Sequence, residues 1–288
     1  MCIRDSYSNY GIHGGAIKSS KSELTISGNN SFMSNTANFY GGAIMSFFAN
    51  LSIIGQAFFV NNRAKDRGTA IFVLNSDLKV DGNITISGGY GFNTSTTEGA
   101  IYLLNSTAFF VGVLSLGNNS GFNGGGIFSK GSTLTVDFDG CIQYIDNQAV
   151  SSGGGLYALN SEIILRGDCS SFQSNTAQDG GAIYAQNSLV HMTGTQNFMW
   201  NSATRGGALS FYSNSKLILM EPFCANFVEN QAKTHGGAIF FDDRSYNNVI
   251  QCIEPIYKGE CLIELNSTTD IQLNFVYNVA GSLSLIHI

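Results

Sequence analysis

A single unit of about 27 residues recurs along the whole chain, and no fold that ignores that period is open to it. The unit is clearest over residues 172–188: Phe172 and Asn175 in a Phe-x-x-Asn, a short polar turn, Gly180-Gly181-Ala182-Ile183, then an Asn187-Ser188 corner and a new extended stretch. The aliphatic residue that closes the glycine half falls at Ile17, Ile44, Ile71, Ile101, Ile127, Leu156, Ile183, Leu209 and Ile239. Successive spacings are 27, 27, 30, 26, 29, 27, 26 and 30 residues. About nine stacked copies of one supersecondary unit are therefore expected.

Each unit divides into three short extended segments. The first follows the glycines and is small or aliphatic, as in Ala182-Ile183-Tyr184. The second follows the Asn-Ser corner and alternates, as in Leu78-Lys79-Val80 and Ile163-Ile164-Leu165. Such alternation sends one set of side chains inward and the other outward. The third ends on an aromatic or aliphatic residue: Phe32, Phe59, Tyr90, Leu116, Tyr144, Phe172, Phe198 and Phe227, with Phe275 as a ninth. A helix is excluded, because no 3.6-residue period survives and glycine interrupts every dozen residues. The fold class expected is all-β, a single-stranded parallel β-helix of about nine rungs with three short strands per rung.

Stacking rungs at about 4.8 Å superposes equivalent residues. The aromatics then form one internal ladder and the Ile/Leu residues a second. The asparagines Asn35, Asn62, Asn93, Asn119, Asn147, Asn175, Asn201 and Asn230 form a third, whose amides bond to one another and to turn backbone. These columns read as structure rather than as binding groups. The glycines read as corner residues, since no Lys-Ser/Thr or helix follows them as a phosphate loop requires.

Composition bounds the partners. With 12% charged residues and a net charge of −6 there is no basic stripe, so nucleic acid is not an expected partner. The most apolar stretch, residues 101–117, is interrupted by Asn105, Ser106 and Thr107 and aligns with the other units, so two buried strands and a turn are expected there rather than a membrane span. Residues 1–6 and 283–288 fit no repeat and are similar to translated strands of a sequencing-library adapter. They are set aside from fold reasoning, and the repeat domain is taken as residues 7–282 of a longer reading frame. After Ile239 the period loosens, and residues 242–262 are expected to be an inserted loop, the kind of feature that carries binding in solenoids.

Cysteine usage offers two pairings. Cys141, Cys169 and Cys224 share one column, the first two on adjacent rungs and within bridging distance, and buried thiols are the alternative there. Cys252 and Cys261 inside the expected insert are the stronger candidates for a disulfide. No cysteine or histidine group has metal-ligand spacing, and no cofactor is expected. Asn-x-Ser/Thr triplets at Asn29, Asn50, Asn83, Asn93, Asn105, Asn118 and Asn266 are glycosylation candidates, Asn93 being also a ladder residue.

The paired Phe-x-x-Asn and Gly-Gly-Ala-Ile motifs resemble the polymorphic outer membrane protein repeat over about residues 7–239. That resemblance implies a right-handed, pectin-lyase-like β-helix exposed outside the cell or on its surface (the outer membrane, in a bacterium), serving adhesion or display toward a surface protein or glycan. It carries over no binding residue.

The competing class is a β-helix that binds or cleaves polysaccharide, which needs carboxylates gathered on one outer face. Asp137, Asp139, Asp146, Glu162, Asp168, Asp242 and Asp243 are the acidic candidates, with Asp137 and Asp139 placed outward beside Glu162 of the next rung. His13 and His235 share the position before Gly-Gly eight rungs apart and cannot cooperate, and His191 stands alone on a strand. No nucleophile–base set emerges, so the expectation is a non-enzymatic module.

Overall fold

The computed structural model describes residues 5–91, 96–137, 139–167, 169–242, 249–253, 271–276, 279–280 and 286–287, with side chains to residue 242 except 221–223. Every element among them is a strand, and every strand pairing is parallel. Parallel pairing between sequence neighbours needs a crossover, and here one turn of the coil supplies it. The chain is a parallel β-helix.

One rung shows how the sequence builds it. Leu156–Leu159 lies in a ten-stranded sheet that collects the segment after the glycine turn from nine rungs, with Ile286–His287 of the last hexapeptide as its tenth strand. Its neighbours pair Leu156 with Ile127 and with Ile183, so the closing aliphatics form one column. The corner then turns at Asn160, whose φ of 49° is left-handed, a conformation that asparagine tolerates better than most residues. Asn75, Asn105, Asn187 and Asn214 do the same in their rungs. The serine after each corner asparagine makes a second ladder: the Ser161 N–H donates to Ser188 Oγ and the Ser188 N–H to Ser215 Oγ, at 3.0 and 3.2 Å. The chemistry of the Asn-Ser pair is thus one residue to turn and one to tie the corner to the next rung.

The second and third segments join in several rungs into one strand bent at a glycine. Glu23–Met33, Asn50–Val60 and Asp77–Ser87 pass through Gly28, Gly55 and Gly82 without leaving the sheet. Where the connection breaks, it does so at the same place, as between Thr107–Val111 and Val113–Gly117 at Gly112. The polar turn after the asparagine also becomes a short strand in several rungs, for example Thr36–Tyr40, Gln148–Ser152 and Gln231–His235. Gly180 then takes a φ of 62°, and a Cβ on Gly181 would collide with the Gly207 carbonyl oxygen of the next rung. These two glycines answer two needs: a left-handed turn and close stacking of backbone on backbone.

The interior is continuous. Phe32 and Phe59 stack at 4.8 Å between ring centres, as do Tyr144 with Phe172 and Phe172 with Phe198; Phe198 and Phe227 stack at 4.9 Å. Each of these rings is essentially inaccessible. Burial of that kind is worth roughly 1.5–3 kcal/mol per side chain, so the column holds successive rungs together.

Beside it the asparagine side chains bond level to level. Asn35 Nδ2 donates to Asn62 Oδ1 at 3.1 Å, and the same bond joins Asn119 to Asn147, Asn147 to Asn175, Asn175 to Asn201 and Asn201 to Asn230. Asn9 donates to Asn35 in the same manner, a level the period alone did not place.

The fourth rung departs from the expected columns. Tyr90 is 37% exposed and lies under the Arg63 guanidinium, 4.0 Å from its ring centre, while Ile86 pairs with Phe59 and Leu116 and fills the core position. The ladder level between Asn62 and Asn119 belongs to Gly89, whose N–H donates to Asn119 Oδ1 at 3.0 Å. Asn93 itself lies outside the described residues. The connection from the core position to the glycine turn is longer in this rung, 13 residues from Ile86 to Gly99 against 9 from Phe59 to Gly68, and Tyr90-Gly91-Phe92-Asn93 repeats the motif spacing inside it. A second signal was present in the sequence. From Asn35 to Asn230 the ladder asparagines are followed two residues on by a buried alanine (Ala37, Ala64, Ala149, Ala177, Ala203, Ala232), or by Gly121 after Asn119, whereas Asn93 is followed by Ser95.

Two further expectations change. Asp5 and Ser6, set aside with the first hexapeptide, pair with Ser31 and Phe32. Within the expected insert, Val249–Ile253 pairs in register with Lys216–Met220, and Ile271–Val276 follows with Phe275 opposite Phe227. Part of that stretch is therefore another rung. Residues 101–117 are strands and corners, and no helix among the described residues is long and apolar enough to cross a membrane.

Candidate contact surface

Two columns outside the core share one corner of the rod. The first runs along the outer side of the ten-stranded sheet, where the second residue of each strand points away from the interior. Met45, Phe72, Tyr102 and Phe128 form one outer cluster there, with Tyr40, Phe47, Leu74, Leu104 and Tyr157 packed against it. Ring centres are 5.2 Å apart for Phe72–Tyr102, 4.7 Å for Tyr102–Phe128, 4.9 Å for Phe128–Tyr157 and 5.0 Å for Tyr157–Tyr184. At the next level the position is Ser210, and Tyr212 from two residues on supplies the ring, 5.1 Å from Tyr184. The stack continues to Phe240.

The second column is the residue before each glycine turn: His13, Tyr40, Arg67, Glu98, Asn123, Ser152, Asp179, Arg205 and His235, neighbours pairing through the backbone except Glu98 and Asn123, which meet through the Asn123 Nδ2 donating to Glu98 Oε1 at 3.4 Å. Sequence reasoning recognised this position only for its two histidines. It missed the column because a residue type that changes at every repeat leaves no periodic trace. The constant signal was the glycine that follows.

Charges in this column neutralise one another across adjacent rungs. Arg205 grips Asp179 with two bonds, Nε to Oδ1 at 2.6 Å and Nη2 to Oδ2 at 2.8 Å, and the Tyr212 hydroxyl donates to Asp179 Oδ1 at 3.2 Å. The Arg205 guanidinium also lies 5.5 Å from the Tyr212 ring centre and 5.8 Å from that of Phe240. Four levels earlier Arg67 stands 3.7 Å from Glu98 and 5.3 Å from the Tyr102 ring centre. Burial pushes the Glu98 carboxyl above its ordinary range, opposed by the Asn123 amide and by Arg67. Burial likewise pushes the Tyr102 phenol up to about 12 and raises Tyr157, Tyr184 and Tyr212. His13 is lowered by burial and by Lys18. The tyrosines are therefore neutral hydrogen-bonding groups at physiological pH.

This corner can make contacts, but its carboxylates are not arranged for hydrolysis. Glu98 and Asp179 are three levels apart, about 14 Å at the usual strand spacing, where acid-catalysed glycoside cleavage wants about 5–10 Å. The expected outward group of Asp137, Asp139 and Glu162 is not assembled either. Glu162 pairs with Thr133, four residues before Asp137, a distance along the strand of about 13 Å. The strand ends at Val136, and Asp139 stands in the following turn. Glu162 instead meets His191, Oε1 to Nε2 at 3.2 Å, beside an open polar notch of about 370 Å³ lined by Ser132, Thr133, Asn160, Ser161 and Asn187. Asp146 turns a corner with a φ of 55°, Asp242 is buried, and Asp168 and Asp243 lie outside the described residues. Among the described residues no group of three or more metal-ligating side chains gathers.

Cys141 and Cys169 form a disulfide between adjacent rungs, with Cα atoms 5.3 Å apart. Thr195 stands between them and Cys224, opposite the latter in the next rung. The pairing expected of Cys252 and Cys261 falls outside the described residues, apart from the backbone of Cys252, which pairs with Leu219.

Residues 170–186 match the family model described as the Chlamydia polymorphic membrane protein repeat. The chain carries that repeat on a β-helix. The polymorphic membrane protein repeat matched here holds Phe172 of the ring column, Asn175 of the ladder, and Gly180 and Gly181 of the turn, so what defines it is what winds the coil. It is not the mark of a known enzyme family. No curated protein and no solved structure gives a significant match to the chain.

Proposed function

We propose that this chain is a non-enzymatic β-helix module of the cell surface or extracellular space, serving adhesion or display through the outer face of its ten-stranded sheet and the column before the glycines. The carrying observation is a division of labour. Residues of the interior columns are buried and hold the rod, while the outward corner presents a different residue at each level, beside half-buried Tyr40, Phe47, Leu74, Leu104 and Tyr157 that flank an aromatic column itself buried. A surface that varies against a constant frame suits recognition. The name of the matched repeat family, a membrane protein of Chlamydia, supports a surface setting.

The test is adhesion of the purified chain to cultured cells, compared with Leu104→Lys and Leu159→Lys variants. Both are half-buried fourth residues of strands in the ten-stranded sheet, Leu104 packed against the outer cluster and Leu159 opposite Lys130 and Gln186, and both lie outside the ion-paired network. Loss of adhesion with unchanged circular dichroism and melting supports the reading. Undiminished adhesion by both variants refutes the choice of face. Release of reducing ends or unsaturated products from a polysaccharide panel, abolished by Asp137→Asn or Glu162→Gln, refutes the non-enzymatic reading.

A further inference from the structure

We propose that Asn29, Asn50, Asn83, Asn105 and Asn118 are N-glycan attachment sites and that the folded rod is built to carry carbohydrate on its corners and its bent-strand flank. Each begins an Asn-x-Ser/Thr triplet, and each is exposed. Their hydroxyl-bearing partners, Ser31, Ser52, Thr85, Thr107 and Ser120, are exposed or half-exposed.

The fold itself separates these asparagines from the others. Attachment puts a bulky, strongly hydrated group on Nδ2, so the side chain must reach solvent in the finished structure. Ladder asparagines are 0–1% exposed and could not keep their place with a sugar attached. None of the described ladder asparagines from Asn35 to Asn230 heads a triplet, because the position two residues on is a packed alanine, or glycine at Gly121. The same packing rule that builds the ladder thus keeps the modification motif off it.

The chemistry fits the local geometry. Nδ2 displaces the diphospholipid from the anomeric carbon of an oligosaccharide–diphospholipid donor: one C–O bond breaks, one C–N bond forms, and the nitrogen gives up one proton. The product amide keeps one N–H and its carbonyl oxygen. Asn83 Oδ1 accepts the Val113 N–H at 3.0 Å, a bond that survives the reaction. Asn105 and Asn118 occupy left-handed corners, with φ of 47° and 54°, and both positions are exposed. Asn29 and Asn83 each follow a bend glycine, Gly28 and Gly82.

An independent feature points to the same compartment. The Cys141–Cys169 disulfide persists where the surroundings are oxidising, as they are along a secretory route. None of the five lies within a strand of the ten-stranded sheet or of the polar connection, although Asn105 directly follows Leu104 of the outer cluster.

The experiment is secretion of the full chain from a eukaryotic host that makes N-glycans, followed by peptide-N-glycosidase digestion in heavy-oxygen water and peptide mass spectrometry. Heavy aspartate at Asn29, Asn50, Asn83, Asn105 and Asn118 is expected. Asn105→Gln and Thr107→Val should each remove the same single glycan, with an unchanged β-type circular dichroism spectrum. A secreted, folded chain labelled at fewer than half of the five overturns the proposal. So does retention of the glycosylated chain inside the cell, since carriage by the native fold is what is inferred.

Discussion

Replacing Asn175 by alanine probes the ladder at its centre. Asn175 Nδ2 donates to Asn201 Oδ1 at 3.0 Å and to the Tyr144 carbonyl at 2.9 Å, while Oδ1 accepts the Asn147 backbone N–H and the Asn147 Nδ2, both at 3.0 Å. The side chain is 0% exposed, so no water replaces it in place. Two of the four partners keep another bond: Asn201 Oδ1 still receives the Asn175 N–H, and Asn147 Nδ2 still reaches the Leu116 carbonyl. Those losses cost about 1 kcal/mol each. The Asn147 N–H and the Tyr144 carbonyl lose their ladder partner outright, at about 1–3 kcal/mol each. The expected loss is about 5 kcal/mol, comparable with the whole stability of many domains. Urea unfolding followed by circular dichroism measures it, with exposed Asn29→Ala as the control, expected within about 0.5 kcal/mol of the parent. Asn175→Asp sharpens the test, since an ionised carboxylate cannot donate to the Tyr144 and Asn201 oxygens. Its folded pKa must then lie above the unfolded value near 3.9, so the pH-dependent part of the loss should be recovered as pH falls through the folded value and be complete below the unfolded one, while the second donation, which a carboxyl with one O–H cannot make, stays lost. A loss at Asn175→Ala no greater than at Asn29→Ala would refute the bond-by-bond reasoning.

Three further outcomes are expected. Phe172→Ala removes a ring stacked at 4.8 Å on both Tyr144 and Phe198 and should cost about 3–5 kcal/mol, read from the denaturant midpoint; a loss under about 1 kcal/mol would show that the column is not close-packed. Gly181→Ala should cost several times more than Gly117→Ala in melting temperature, because a Cβ at Gly181 meets next-rung backbone whereas at Gly117 it meets only the Ile145 carbonyl oxygen at 3.7 Å; equal shifts would refute backbone stacking as the reason for the second glycine. Burial holds the folded pKa of Glu98 above the ordinary carboxyl value, so its contribution to stability is greatest below that ordinary value and is lost as pH rises through the folded pKa; Glu98→Gln should flatten that part of the stability profile, and an unchanged slope would count against a desolvated carboxyl there.

Most of the coil was legible because its reasons repeat. Phe172, Asn175, Gly181 and Ile183 are each required by stacking on the rung before and after, so the same residue type returns at most levels. What escaped notice was of two kinds. Rung four kept the geometry but lengthened its connection, and the motif Tyr90-Gly91-Phe92-Asn93 imitated a ladder that Ile86 and Gly89 in fact supply. The outer corner escaped because solvent-facing positions are not bound to repeat, and Arg67, Glu98, Asp179 and Arg205 pair only across neighbouring levels. Asp137 and Glu162 illustrate the limit of reading strands without register: a difference of four residues along the strand separates groups that alternation alone places side by side.

The amide column has a sense of direction. From Asn119 to Asn201 each Nδ2 sends one hydrogen to the Oδ1 of the next asparagine and the other back to a carbonyl of the preceding rung, while from Asn119 to Asn230 every Oδ1 receives from the earlier level. Aligned dipoles in a dry interior reinforce one another, so the two ends of such a run are electrically unlike, hydrogens leading and oxygens trailing. A rod assembled from near-identical turns thereby gains an intrinsic polarity.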